Sequence, residues 1–298
     1  MEAVVTNGLT KYYGKSRGIV DLSLTVQEGD FFGFIGPNGA GKSTFIRTLL
    51  GLISPSGGSA QIFGMDITKD HKQILGNIGY LPSEAIFYSG MRVADILKLS
   101  AKLRKTDCSA EAAKLCERFE LDTGRKIDEL SYGTRKKVAI VCALQHNPRL
   151  LILDEPTGGL DPLMQREFFE ILREKNENGT TVFISSHILS EIQKNCRRAA
   201  IIRDGKIIAC GSVEELSRTN AKRVTVQGSF SPERLSGVKD IKNSDIGVSF
   251  LYSGSINVLM KELSLCDISD LTVAEPDLEE IFMHYYSEGG DTDDDYKA

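Results

Sequence analysis

Apolar residues recur along the chain with two distinct periods. Residues 20–26 (VDLSLTV) alternate polar and apolar positions, the period of a strand with one buried face. Residues 31–35 (FFGFI), 150–153 (LLIL), 180–185 (TTVFIS) and 199–203 (AAIIR) are short, nearly continuous apolar runs, the pattern of strands buried on both faces. A helical stretch at 43–50 follows the first run after a Gly-rich turn. Alternation of this kind predicts an α/β fold with a mostly parallel sheet covered by helices on both faces. Between about 91 and 147 the period lengthens. Residues 93–103, 110–119 and 134–144 carry apolar positions at helical spacing and predict a helical subdomain inserted into the α/β core.

The pattern changes again after Ser217. Residues 222–227, 247–252 and 270–274 predict short strands, with a helix at 256–263 between two of them. Pro276 is placed to open another helix with Leu278, Ile281, Phe282 and Tyr285 on one face. The expected organisation is therefore an α/β domain over 1–217 and a small α+β appendage over 218–287. The Gly- and Asp-rich end, 288–298, is expected to be a disordered acidic tail.

Composition narrows the function classes. Of 298 residues, 41% are hydrophobic and 26% charged, which excludes a wholly disordered or fibrous chain. The formal net charge of -5 gives no electrostatic case for a nucleic-acid partner. No apolar run approaches the roughly 18 residues that span a bilayer, and residues 1–15 lack the basic and apolar regions of a signal peptide. The chain is expected to be cytoplasmic. Its six cysteines show no metal-binding or redox spacing and read as free thiols.

Three segments carry chemistry. Residues 36–44, GPNGAGKST, fit the pattern G-x-x-x-x-G-K-[ST] between a predicted strand and a predicted helix. Gly36, Gly39 and Gly41 let the backbone bend so that successive N–H groups point inward at phosphate oxygens. Pro37, Asn38, Ala40 and Thr44 complete the loop, and the helix N-terminus adds a favourable dipole. Lys42 should reach the β- and γ-phosphates of a nucleotide, and the Ser43 hydroxyl should ligate Mg²⁺. In the second segment, LLILDEP, a buried strand delivers Asp154 and Glu155 to its C-terminal end, where ligands bind in α/β sheets. Asp154 suits Mg²⁺ held through water, and Glu155 suits the polarisation of an attacking water.

The third segment, DELSYGTRKKVAIVCAL from Asp128, resembles the signature of the ATP-binding cassette (ABC) family, whose usual core is Leu-Ser-Gly-Gly-Gln. Leu130, Ser131 and Gly133 match it, whereas Tyr132 and Thr134 depart from it. GGLDP at 158–162 resembles the family's D-loop, with Asp161 as its acid, and SSH at 185–187 resembles the segment that carries its switch histidine, His187. In KYYG, Tyr13 resembles the aromatic residue that stacks on adenine, with Tyr12 as its rival. IGYLPSE at 78–84 stands at the Q-loop, where the family usually has Gln; here Ser83 takes that place and Glu84 follows, leaving either as the loop's contact to Mg²⁺.

The resemblance covers about residues 1–217 with every motif in family order. It implies an ATPase that binds ATP and Mg²⁺, and a head-to-tail homodimer in which Ser131 and Gly133 complete the partner's nucleotide site. It also implies a separate integral membrane permease. Residues 91–103 and the IGYLPSE loop, with Ile86, Phe87 and Tyr88, would be the docking surface. The final VAEPDLEEIFMHYY is similar to the ends of bacterial ATPases that serve ABC-2 type exporters. Two other readings are a soluble ABC ATPase acting on DNA or ribosomes, and a nucleotide-binding regulator that does not hydrolyse. The short span between phosphate loop and signature and the acidic balance weigh against the first. Glu155 and His187 weigh against the second.

Overall fold

The computed structural model describes residues 1–217, 222–244 and 246–274. They fall into two compact units that divide between Val213 and Glu214. In the first unit the chain runs β1 (Glu2–Tyr13), β2 (Ser16–Gln27), β3 (Phe31–Ile35), α1 (Lys42–Leu49), β4 (Gly57–Ile62), β5 (Met65–Asp66), α2 (His71–Gly76) and β6 (Ile78–Leu81). It continues through α3 (Val93–Arg104), α4 (Ser109–Arg118), α5 (Tyr132–Leu144), β7 (Leu150–Asp154), α6 (Pro162–Glu177), β8 (Thr181–Ser186), α7 (Leu189–Asn195), β9 (Arg198–Arg203) and β10 (Lys206–Ser212). A short α8 (Val213–Ser217) follows.

The central sheet has the order β10-β9-β3-β8-β7-β6. Neighbours from β9 to β6 pair in parallel and β10 pairs antiparallel at the edge. Parallel pairing requires crossovers, and helices supply them. The strands β3, β7 and β8 are buried along their whole length, which is why they read as apolar runs without alternation. Their C-terminal ends all lie at one edge of the sheet, with Ile35 beside Ser186 and Asp154 beside Ser185.

A second sheet, β2-β1-β4-β5, is antiparallel. Of its strands, only the segment 20–26 is legible as a pattern. In β1, register shifts around Gly8, at φ +59°, interrupt the alternation. In β4 only Ala60 and Ile62 are buried, so no apolar signal reaches the sequence. The main core joins these sheets to α1. Phe34 lies 4.9 Å from Phe45 and 5.5 Å from Phe183 between ring centroids, and all three are fully buried. Burying one such ring contributes roughly 1.5–3 kcal/mol, and this trio holds α1, which begins at Lys42, against β3 and β8.

The stretch from 91 to 147 is helical, as its period predicts, with Ile96, Leu97, Leu115, Phe119 and Val138 packed inside. Its last helix, α5, presses on β6. A Cβ at Gly79 would collide with the Ala143 carbonyl oxygen and lie 2.9 Å from the Pro148 ring.

In the second unit β11 (Lys222–Gly228), β12 (Val238–Ser244), β13 (Gly247–Tyr252) and β14 (Ile268–Ala274) form an antiparallel sheet of order β12-β13-β11-β14. Helix α9 (Ile256–Leu263) buries Leu259 and Leu263 with Val224, Val226 and Phe250. The edge strand β12 is almost wholly exposed, so its sequence shows no strand period. The helix expected from Pro276 and the tail 288–298 lie outside the described residues. All six cysteines are free thiols.

The close approach at Gly79 gives a test of this packing. Gly79→Ala should destabilise the first unit by about 1–3 kcal/mol through overpacking, read as a lower urea midpoint at unchanged slope. An unchanged midpoint would contradict the contact.

Candidate active site

The site begins where β3 ends. The chain turns through residues 36–41 and enters α1 at Gly41, which has φ +108°. A side chain there would be strained by the backbone and would also meet the Gly18 carbonyl oxygen at 2.8 Å. No side chain caps α1. The amides of Lys42, Ser43 and Thr44 belong to a first helical turn, where no intrahelical acceptor exists. Pro37, Asn38 and Gly39 are exposed, so the cradle faces solvent. Free amides, a helix dipole and a lysine at one point are the chemistry that holds a phosphate chain. The Lys42 ammonium is buried, donating to the carbonyls of Gly36 (2.7 Å) and Pro37 (3.1 Å) and pairing with Glu155 Oε1 at 3.1 Å.

Asp154 is the last residue of β7 and is 1% exposed. Its Oδ1 accepts a 2.6 Å hydrogen bond from Ser185 Oγ on the neighbouring β8. Its Oδ2 is buried without a hydrogen-bond partner among the described residues. A buried carboxylate oxygen left so is costly, and a hard cation or its bound water satisfies it. The donor set of Ser43 hydroxyl and Asp154 carboxylate therefore fits Mg²⁺. No cluster of three or more His, Cys, Asp or Glu side chains forms a protein cage among the described residues.

Glu155 adopts φ +46°, a left-handed conformation uncommon for a side-chain-bearing residue. Its amide donates to Ser185 O (3.1 Å) and Ser185 Oγ (3.2 Å), so β8 fixes the turn. Its side chain lies between the Lys42 ammonium and the His187 imidazole, with Oε2 3.3 Å from His187 Nδ1. Burial pushes the Glu155 carboxyl upward, but the hydrogen bond and charge of Lys42, followed by those of His187, outweigh it and hold it below the usual range. Glu155 is thus a carboxylate at neutral pH, able to polarise water. Lys42, Asp154, Glu155, Ser185 and His187 form one connected cluster at the phosphate loop.

The remaining expected site residues sit around this cluster. Tyr12 and Tyr13 are about equally exposed. A Cβ at Gly18 would lie 2.9 Å from Thr44 Cγ2 and 3.2 Å from Tyr13 Cε2, so Tyr13 stands beside the phosphate loop. The Lys11 ammonium is 5.4 Å from its ring centroid. Ser83 and Glu84 leave the sheet from β6, whose Leu81 pairs with Leu153, and so emerge next to Asp154 and Glu155. Ser131 caps α5, accepting from the Thr134 amide at 3.2 Å. Gly133 packs on the turn at 158–159, where its Cβ would stand 2.5 Å from the Gly159 carbonyl oxygen. Asp161 caps α6 through the Met164 amide at 3.0 Å. The signature thus faces the GGLDP turn of its own chain.

Two residues here escaped the sequence reading. Ser185 was legible only as part of SSH. Lys136, 1% exposed, donates to the carbonyls of Pro82 and Ser83. Its burial was readable in principle, because Lys136, Ile140, Ala143 and Leu144 share one helical face. The flanking Arg135 and Lys137 disguised it as part of a solvated charge run.

The ABC transporter family model matches residues 19–158. The bacitracin transport ATP-binding protein of Bacillus licheniformis is 35% identical, over 94% of this chain and 96% of its own length. That of Enterococcus faecalis is 34% identical, over 74% of this chain and 73% of its own. Among solved structures, the ATP-binding subunit of an ABC transporter superposes with a TM-score of 0.68 at 29% identity, covering 72% of this chain and 92% of its own. A nucleotide-free ATP-binding cassette from an ABC transporter gives 0.62 at 28% identity, covering 72% and 93%. With a relative matched over nearly its full length and a phosphate loop, acidic pair and histidine in one cluster, the chain belongs to the ABC transporter family as an ATP-binding, ATP-hydrolysing subunit.

Proposed function

We propose that this subunit energises a membrane exporter from the cytoplasmic side through ATP-driven closure of a homodimer. The observation that carries the reading is the division of the site. Residues 36–44, Asp154, Glu155 and His187 gather at one sheet edge, while Ser131 and Gly133 sit at the exposed N-terminus of α5 against the 158–159 turn. A second copy related by a two-fold axis can bring its signature to this chain's nucleotide. Each γ-phosphate is then held from both sides, by the loop and Lys42 of one protomer and by Ser131 and Gly133 of the other. Residues 1–217 act as the nucleotide-binding domain and 218–287 as an accessory domain.

Lys42 and the loop amides bind the β- and γ-phosphates, and Tyr13 stacks on adenine. A γ-phosphate competes with Glu155 Oε1 for the Lys42 ammonium. The released carboxylate orients water for in-line attack, and His187 steadies the charge that develops on the transferring group. Ser43 and Asp154, with Ser83 or Glu84 from the neighbouring loop, would hold Mg²⁺. When bound, the ion supplies charge neutralisation at the phosphate oxygens. Product release lets the protomers part.

Among the described residues no helix is long and apolar enough to cross a membrane. Transport then calls for a separate permease. A groove of about 780 Å³ lined by Leu75, Ile86, Phe87, Tyr88, Leu99 and Leu103 offers it a place to dock. Ile86 is 90% exposed and Leu103 77%, while Phe87 is half-buried. Apolar side chains displayed in this way suit an amphipathic helix of the permease. The two bacitracin transport relatives support a cargo of the antibiotic or small-peptide class.

Lys42→Ala should weaken ATP binding at least tenfold, about 1.4 kcal/mol or more, by calorimetry on a chain that keeps its fold. Unchanged affinity would overturn the assignment. Ile86→Glu combined with Leu103→Glu should move the chain from the membrane to the soluble fraction of its source cells. Equal partition of variant and wild type would contradict the docking face.

A further inference from the structure

Lys136 is a fully buried cation to which the reaction as described gives no task. It lies on α5, between its first turn and its buried middle, and is 1% exposed. Its ammonium meets three backbone carbonyls: Ser83 O at 2.8 Å, Pro82 O at 3.1 Å and Glu155 O at 3.4 Å. A lysine has three N–H donors, so three carbonyls can satisfy it completely. The acceptors come from two separate chain segments, the loop after β6 and the turn after β7. Burial draws the Lys136 pKa down to about 8, while the nearby charges of Asp154 and then Glu155 oppose the fall.

Such an arrangement is expensive as mere packing. A methionine would fill a similar space without removing a charge from water. What the lysine adds is geometric. The peptide group before Glu155 is held by Ser185, which accepts from the Glu155 amide. The Glu155 carbonyl is held by Lys136. A residue at φ +46° relaxes unless its surroundings hold it, and these two holds flank the left-handed turn that aims the carboxylate between Lys42 and His187. The same lysine ties that turn and the Ser83 loop to the helix whose N-cap is Ser131 of the signature.

We propose that Lys136 is a positioning residue for ATP hydrolysis, fixing the Glu155 turn and the Ser83 loop to the signature helix so that the Glu155 carboxylate is held in line for the attacking water. The inference rests on the reading of Glu155 as the residue that polarises that water. In a symmetric dimer it also links the two sites, because α5 presents its signature to the partner's nucleotide while Lys136 holds the Glu155 that serves its own.

The test is steady-state ATPase kinetics on the full chain with Lys136→Met, Lys136→Arg and Glu155→Gln, each checked for folding by thermal melting. Lys136→Met should lower kcat at least about tenfold with KM within about twofold, the pattern of an interaction lost from the transition state alone. Lys136→Arg, which keeps charge and donors, should recover kcat to within about threefold of wild type. Glu155→Gln should abolish turnover. If Glu155→Gln removes turnover while Lys136→Met leaves kcat unchanged, or if arginine gives no recovery in a folded chain, the role of Lys136 is overturned and that of Glu155 stands. If Glu155→Gln retains turnover, the underlying reading has failed instead. Should Lys136→Met not fold, Lys136→Gln is measured against the same limits.

Discussion

The site depends on a buried lysine that bridges two strands. Lys42 opens α1 after β3, Glu155 follows β7, and β8 lies between those strands. The 3.1 Å contact between them exists only because parallel register brings the ends of all three strands to one edge. An ion pair with one buried partner is weak support for stability, since taking the Lys42 charge out of water offsets much of the attraction. Its value here is placement. The same ammonium that grips the Gly36 and Pro37 carbonyls also holds the Glu155 carboxylate.

Everything around that contact serves its geometry. The Phe34, Phe45 and Phe183 rings seat α1 against the sheet, so the phosphate loop cannot drift from β7 and β8. Ser185 serves both acids, donating to Asp154 and accepting from the Glu155 amide. One buried hydroxyl thereby orients two neighbouring acids. Asp154 keeps its second oxygen free of protein partners among the described residues, while Glu155 faces the Lys42 ammonium and the His187 imidazole. Adjacent carboxylates are in this way given separate chemistry by their surroundings.

Much of this was legible in the sequence, for physical reasons. A strand buried on both faces must be apolar throughout, so β3, β7, β8 and β9 announced themselves. The Gly-rich turn at 36–41 was legible because backbone constraints dictate glycine at fixed offsets, and Gly41 has a φ of +108°. The antiparallel sheet was mostly hidden, since bulges in β1 break the period and β4 has too few buried residues to show one. The edge strand β12 was hidden for the same reason. Within the site, single residues named their chemistry but not their neighbours. Pairing across β7 and β8 brings Ser185 to Asp154 from 31 positions away. Lys136 was masked by its charged neighbours, although the helical period placed it on the buried face. Tyr12 and Tyr13 read alike in the sequence, and the nearness of Tyr13 to Gly18 and Thr44 is visible only in the fold.

The central claim is that one chain holds two halves of different sites, and that ATP joins two copies. It is tested most directly by the solution mass of Glu155→Gln, measured by light scattering with and without Mg²⁺ and ATP. This substitution keeps the shape of the side chain while removing the charge that activates water, so bound ATP should persist. The account predicts a monomer without nucleotide and a dimer with it. A mass indifferent to ATP, with nucleotide shown to be bound, would contradict the shared site.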